Sequence, residues 1–331
     1  PVTMATRPVK SIVLILVLSL SKWKPELYPR SNAAGFMQLQ DTPIDTPPRD
    51  AASVVLLREG ASGPQVLLLR RHAQSAVLGG AYVFPGGKLE RGDSSPATQA
   101  RLDAPVAALH AALGEAALTP DMAAGLFVAA LREAFEESGV LLATQTGRPL
   151  DAAMRQHALA AIRAGTPFDA LLAHHDWQLD TRALAPWSRW ITPRRPAMMN
   201  RRFDTRFFLA AVPDAQEAQH DDHEVTEARW LKPRTALAQY RDGQIDLAPP
   251  QIISLMHSLS FASVAAALAD ARTRPPPLVE PHTVQHGAER VMCYPGDPQY
   301  PVTAPALISP TRLVWRDERF QPPEGFGPWI D

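Results

Sequence analysis

A chain of 331 residues, 46% hydrophobic and 20% charged, has globular composition and room for one large domain with extensions. Its formal net charge of −1 supplies no basic field of the kind that draws nucleic acid or an anionic membrane. The single cysteine, Cys293, excludes an internal disulfide and a cysteine-based zinc site, and it fits a reducing compartment.

Residues 1–50 read as an N-terminal extension. The apolar run from Ile12 to Leu20 is shorter than the roughly 20 residues of a membrane span. Lys22-Trp23-Lys24-Pro25 follows it where a signal peptide would carry small residues. The expected functional start is near Met37, ahead of the Pro- and Asp-rich stretch Thr42 to Asp50. Ala51 to Arg58 and Gln65 to Arg70 predict a hairpin around Gly60, Gly63 and Pro64. Tyr82 to Phe84 predicts a short strand, and Pro85-Gly86-Gly87 a turn whose backbone can approach a ligand.

Pro96 to Ala117 predicts one long helical region. Thr119-Pro120-Asp121 is a helix start, with a hydroxyl N-cap, proline at the first position and an acid in the first turn. That helix is predicted to run to Ser138, with Gly139 as a left-handed cap. Val140 to Ala143 is the next expected strand, followed by two short helices within 151–176. Trp187 to Ile191, Arg201 to Val212 and Glu224 to Leu231 predict further strands. In the second of these, Phe203, Thr205, Phe207 and Leu209 face one way, and Arg202, Asp204 and Arg206 the other. A last helix is expected over Gln251 to Arg272, then a Pro-rich tail with short strands at Arg290 to Tyr294 and Arg312 to Trp315.

The helix from Pro120 carries the chemistry. Glu133, Glu136 and Glu137 share one face at i, i+3 and i+4, opposite Val128, Leu131 and Phe135. Arg132 lies one turn before Glu136 and can pair with it. A charge run on a helix is most often a solvated face. The other reading is a site for a hard divalent cation, which takes oxygen ligands and relieves the repulsion among clustered carboxylates.

Gly87, Asp93 and Arg132-Glu133-Ala134-Phe135-Glu136-Glu137-Ser138-Gly139-Val140 together resemble the Nudix hydrolase box, G-x5-E-x7-R-E-U-x-E-E-x-G-U with U aliphatic. Asp93 stands at the first Glu, Ala134 at the first U, and 38 residues separate Asp93 from Arg132 where the box has seven. An interrupted box resembles the peroxisomal coenzyme A diphosphohydrolase-like branch. Phe84 to Gly87, Trp190-Ile191-Thr192-Pro193, Arg201 to Thr205, Leu247-Ala248-Pro249-Pro250-Gln251 and Tyr294-Pro295-Gly296-Asp297 are similar to that branch as well.

The resemblance implies a Nudix α/β/α sandwich with a mixed sheet over 51–247, a helical insertion at 94–129 and a C-terminal extension at 248–331. It implies hydrolysis of a nucleoside diphosphate linked to another moiety, with coenzyme A or acyl-coenzyme A as the leading substrate. ADP-ribose or NADH hydrolysis is the alternative, and a non-catalytic ligand sensor a further one. By resemblance, Mg²⁺ or Mn²⁺ would be held by Glu136, Glu137 and the Gly87 carbonyl. Glu133 is a ligand or the group that activates water, Arg132 holds the carboxylates, and Asp222 or Glu224 is an alternative base or extra ligand. Arg70, Arg71, Arg201 and Arg202 are expected to meet substrate phosphates. The insertion would be a lid, a wall for the pantetheine or acyl arm, or plain decoration. The expected partner is a small molecule, with neither nucleic acid nor membrane, in a possible homodimer. The chain ends Trp329-Ile330-Asp331 without a peroxisomal tripeptide, and the expected location is cytoplasmic.

Overall fold

Val54 to Leu57 and Val66 to Leu69 are continuous apolar runs, and both are buried throughout. They form the expected hairpin in a computed structural model that describes residues 43–75, 78–195, 201–220, 224–286 and 289–331. The possible start at Met37, the run Ile12 to Leu20 and Asp222 lie outside the described residues. β1 (Arg49–Gly60) and β2 (Gly63–Arg71) pair antiparallel, with Leu57 opposite Val66. β3 (Tyr82–Val83) pairs with β2, and β4 (Gly86–Lys88) with the first half of β1. The glycines expected in a turn therefore lie in a strand. A Cβ on Gly86 would come 2.6 Å from the Ala52 carbonyl oxygen, so only glycine allows this pairing.

The long helix expected from Pro96 is broken into α1 (Pro96–Gln99) and α2 (Val106–Leu113). Pro105 lacks an N–H and keeps Ala104 out of helical geometry, and Asp103 Oδ1 instead accepts the Thr181 N–H at 2.8 Å. α3 (Pro120–Ser138) is capped as expected, with the Thr119 hydroxyl accepting the Met122 N–H at 3.2 Å and Gly139 at φ 70°. β5 (Ala143–Gln145) starts later than the strand expected at Val140. It forms a small sheet with β6 (Arg148–Pro149) and β7 (Gln178–Leu179), because Leu141 hydrogen-bonds the Gln216 side chain instead of a ladder. α4 (Ala152–Arg163) and α5 (Phe168–His175) lie between β6 and β7.

β8 (Ala185–Ile191), β9 (Phe203–Ala211) and β10 (Val225–Leu231) complete the strands expected in the middle of the chain. α6 (Pro233–Arg241) follows, and the last long helix is split into α7 (Pro249–Ser258) and α8 (Val264–Thr273). Serines break it: Ser258 Oγ donates back to the Ser254 carbonyl, and Ser263 caps α8. The tail holds β11 (Leu278–Val279), β12 (His282–His286), β13 (Glu289–Cys293), β14 (Arg312–Arg316), β15 (Arg319–Gln321) and α9 (Gly327–Ile330).

The main sheet has the order β10-β2-β1-β9-β8-β11, with β3 on β2 and β4 on β1. β1–β9 and β8–β11 are parallel and the other pairs antiparallel, so the sheet is mixed. β12 to β15 form a second, antiparallel sheet. The apolar face of α3 packs on Val54, Leu56, Leu67 and Leu69, with Phe127 and Phe208 ring centroids 4.8 Å apart. On β9 the charged positions are also buried. Glu115, just after α2, accepts from Arg206 Nη2 at 2.6 Å and from Arg189 Nη1 at 2.8 Å, and Arg189 also pairs with Asp204. The insertion is thus tied to the sheet by an ion network beneath β8 and β9. Among the described residues, no helix is long and apolar enough to cross a membrane.

His257 links α7 to the tail, its Nδ1 accepting the Ile308 N–H at 3.0 Å while its ring stacks on Trp187. Burial first, then the charge of Arg274, pushes it down to about 4, with Asp270 at 3.9 Å pulling the other way. The folded state therefore binds fewer protons than the unfolded state between about 4 and 6.5. Stability should fall on the order of 3 kcal/mol as pH drops through this window. His257→Gln, which cannot charge, should lose less over the same range. Parallel slopes for the two proteins in pH-dependent urea unfolding would refute this.

Candidate active site

The second half of α3 faces β4. Arg132 is buried there, and all five of its N–H groups are used. Nε and Nη2 donate to Asp93 Oδ1 and Oδ2 at 2.9 and 3.0 Å, and Nη2 also donates to the Lys88 carbonyl at 3.1 Å. Nη1 donates to Glu133 Oε1 at 2.8 Å and Glu136 Oε2 at 3.1 Å. Asp93 lies in a 3-10 turn, Arg91–Ser94, and its Oδ2 also accepts the Glu90 N–H. Asp93 is buried behind Arg132, which makes it a positioning group and keeps it off the acidic face. Burial opposes the Arg132 charge, but its bonds to Asp93 and the charges of Glu133, Asp93 and Glu136 hold the guanidinium above its ordinary range.

Glu133 lies against Gly87, where an added Cβ would sit 2.2 Å from Glu133 Oε1. Glu137 is buried and accepts the Gly86 N–H at 3.0 Å. Burial pushes Glu133 up to about 7 against the pull of Arg132, and it raises Glu136 for the same reason. Glu137 is driven well above the carboxylate range by burial and then by the charge of Glu133. Among the described residues, no three His, Cys, Asp or Glu side chains converge on a common point, because Glu133 and Glu136 are turned onto Arg132 and Glu137 onto Gly86. The donors nonetheless fit a hard divalent cation. They are all oxygens, they lie within two turns of one helix beside the Gly87 backbone, and the protein alone leaves their charge poorly compensated.

The carboxylates open into a cavity of about 730 Å³, within the range of roughly 300–1,000 Å³ usual for small-molecule sites. Arg132, Glu133, Glu136, Glu137 and Gly87 line it, as do Arg71, Arg201 and Glu224. Arg70 and Arg202 do not. Successive residues of a strand point to opposite faces, so Arg70 is exposed on the far side from Arg71. Arg202 is engaged by the Thr192 carbonyl at 2.8 Å and Glu280 Oε1 at 2.9 Å. Arg49, Lys88 and Arg163 also line the cavity, and sequence reasoning passed over them. The signal for Arg49 was available, since it starts the strand whose partner begins at Phe203. Arg163 carried no such signal, because α4 reaches the cavity only through tertiary packing. Among the described residues, none of the 94–129 insertion lines the cavity. The apolar lining comes from Trp190 and Phe207, from Pro249 and Pro250 at the start of α7, and from Pro281 and Met292 of the tail.

Gly87→Ala should displace the Glu133 carboxylate, the movable partner, rather than unfold the protein. Activity of the substituted protein is expected to fall about tenfold to a hundredfold with little change in melting temperature. Turnover within twofold of wild type would show that the Glu133 position does not matter.

Residues 48–257 match the NUDT19 Nudix domain family. The chain is 31% identical over 239 residues to acyl-coenzyme A diphosphatase NUDT19 of Homo sapiens, an alignment covering 62% of this chain and 63% of that protein. It is 29% identical over 265 residues to the protein of the same name from Gallus gallus, covering 65% and 69%. The alignments thus span about two thirds of the length of these relatives. The crystal structure of a Nudix hydrolase from Alicyclobacillus acidocaldarius superposes with a TM-score of 0.56 at 28% identity, over 70% of this chain and 99% of that one. A mixed sheet flanked by helices, an acidic helix held against a glycine strand by one buried arginine, and these matches agree: the chain belongs to the Nudix hydrolases, in the family of the NUDT19 Nudix domain.

Proposed function

We propose that the chain is a diphosphatase that hydrolyses coenzyme A or acyl-coenzyme A to 3′,5′-ADP and 4′-phosphopantetheine or its acyl form. The observation that carries this reading is the cavity itself, which joins the Glu133, Glu136 and Glu137 cluster to a basic rim and an apolar wall. Relatives bearing the name acyl-coenzyme A diphosphatase support the choice of substrate. Nudix hydrolases generally require divalent metal ions, and Mg²⁺ or Mn²⁺ suits an all-oxygen donor set.

Glu136, Glu137 and the Gly87 carbonyl are the proposed metal ligands. The metal, when bound, supplies charge neutralisation at the phosphoryl oxygens and activation of water. Glu133 accepts the proton of the attacking water or adds a ligand, with Glu224, also on the cavity wall, as the alternative. The water oxygen bonds to one phosphorus, the bridging P–O bond breaks, and the second phosphate leaves with its oxygen. Arg132 touches no substrate in this scheme and keeps Glu133 and Glu136 in register. Arg71 and Arg201, joined by Arg49, Lys88 and Arg163, face the phosphate charge, and the apolar wall takes the pantetheine or acyl arm. The lone buried Cys293 supports a reducing compartment such as the cytoplasm.

Glu136→Gln should lower turnover by about two orders of magnitude or more while the fold persists, because the side chain is half-exposed. Turnover within tenfold of wild type, or full activity in excess EDTA, would refute the assignment. Incubation with coenzyme A, acyl-coenzyme A, ADP-ribose and NADH, followed by mass analysis of the products, tests the substrate. Preferential turnover of ADP-ribose or NADH would replace the coenzyme A reading.

A further inference from the structure

Among the described residues, one buried polar atom without a hydrogen-bond partner belongs to a residue that lines the active-site cavity. Gln251, in the first turn of α7, is 7% exposed, and its Oε1 is unpaired. The other buried side-chain atoms in this condition, on Trp177, Trp187, Gln239, Ser254, Thr283 and Tyr294, belong to residues away from that cavity. The surroundings of Gln251 make it conspicuous. Pro249, Pro250, Trp190 and Met292 line the same cavity and offer it no side-chain partner. Pro249 and Pro250 also lack N–H groups, and α7 has no side-chain cap, so Gln251 bears the first backbone N–H of that helix. A buried amide oxygen left unpaired destabilises the unliganded fold. Such a group is explained when its partner arrives with the substrate.

We propose that Gln251 is a specificity-determining residue that pairs with a donor–acceptor edge of the substrate, as carried by a secondary amide or an aminopurine. This rests on the diphosphatase reading. Coenzyme A presents such an edge on either side of its pyrophosphate, in the pantetheine amides and in the adenine. A site built to hydrogen-bond a substrate group discriminates strongly against analogues that lack it, because its own buried group is then left unpaired.

Gln251→Leu keeps similar bulk and removes both donor and acceptor. With coenzyme A as substrate, KM should rise about tenfold and kcat stay within about twofold. The melting temperature of the unliganded protein should be unchanged or higher. Calorimetric titration of both proteins with 3′,5′-ADP and with 4′-phosphopantetheine identifies the edge, since the affinity for the product that carries it should fall about tenfold. A KM within twofold of wild type overturns the proposal. A raised KM with a melting temperature lower by several degrees also overturns it, by making Gln251 a structural residue of α7. Failure of the wild type to hydrolyse coenzyme A would overturn the diphosphatase reading separately. In that event, loss of product affinity in the variant sustains the role of Gln251, and affinities insensitive to the substitution end it.

Discussion

Two of the three carboxylates at the acidic face, Glu133 and Glu136, depend on one guanidinium. Arg132 reaches backwards to Asp93 and Lys88 and forwards to Glu133 and Glu136, with no N–H left over. A planar, permanently charged fork can hold three carboxylates and a carbonyl at fixed angles, and a lysine ammonium cannot. The carboxylates are consequently ordered by the protein before any cation or substrate is present. Their burial keeps them poised in an environment that resists carrying the charge unaided.

How much of this could be read from the residues varied with the range of the interaction. The acidic face, the cap at Thr119 and Gly139, and the hairpin of β1 and β2 are local, set by periodicities of 3.6 and 2 and by terminal side chains, and they stand where the sequence places them. Arg70 and Arg71 show where local reading stopped short, since strand alternation alone would have separated them. The two broken helices follow from Pro105 and from the serines near 260, signals present in the sequence but outweighed by a long apolar run. Arg163 had no local signal, because α4 meets the cavity only through elements distant in the chain, and the Leu247 to Gln251 stretch drew notice without revealing that the Gln251 side chain lines the cavity.

The 94–129 segment gains a purpose by being absent from the cavity. Glu115 sits on the buried Arg206 and the partly buried Arg189, and shares their charge with Asp204 and Asp50. Uncompensated buried charge is strongly destabilising, so β8 and β9 with their arginines and the insertion with its acid are interdependent. The tail is integrated in a comparable way. β11 extends the main sheet, and Pro281 and Met292 reach the cavity although they lie beyond the region matched at family level.

The contact between Asp93 and Arg132 also bears on the order in which the chain organises itself. Closing a loop of 38 residues where the usual box closes seven costs about 1.5 kcal/mol more in chain entropy. A short box can form early as a local unit, but this one cannot be nucleated by its own neighbourhood. In the folded chain the two halves meet around α2, seated on α3, and Glu115, seated on Arg206 of β9. The box in this chain is thus a long-range contact of the tertiary structure and not a property of one local segment.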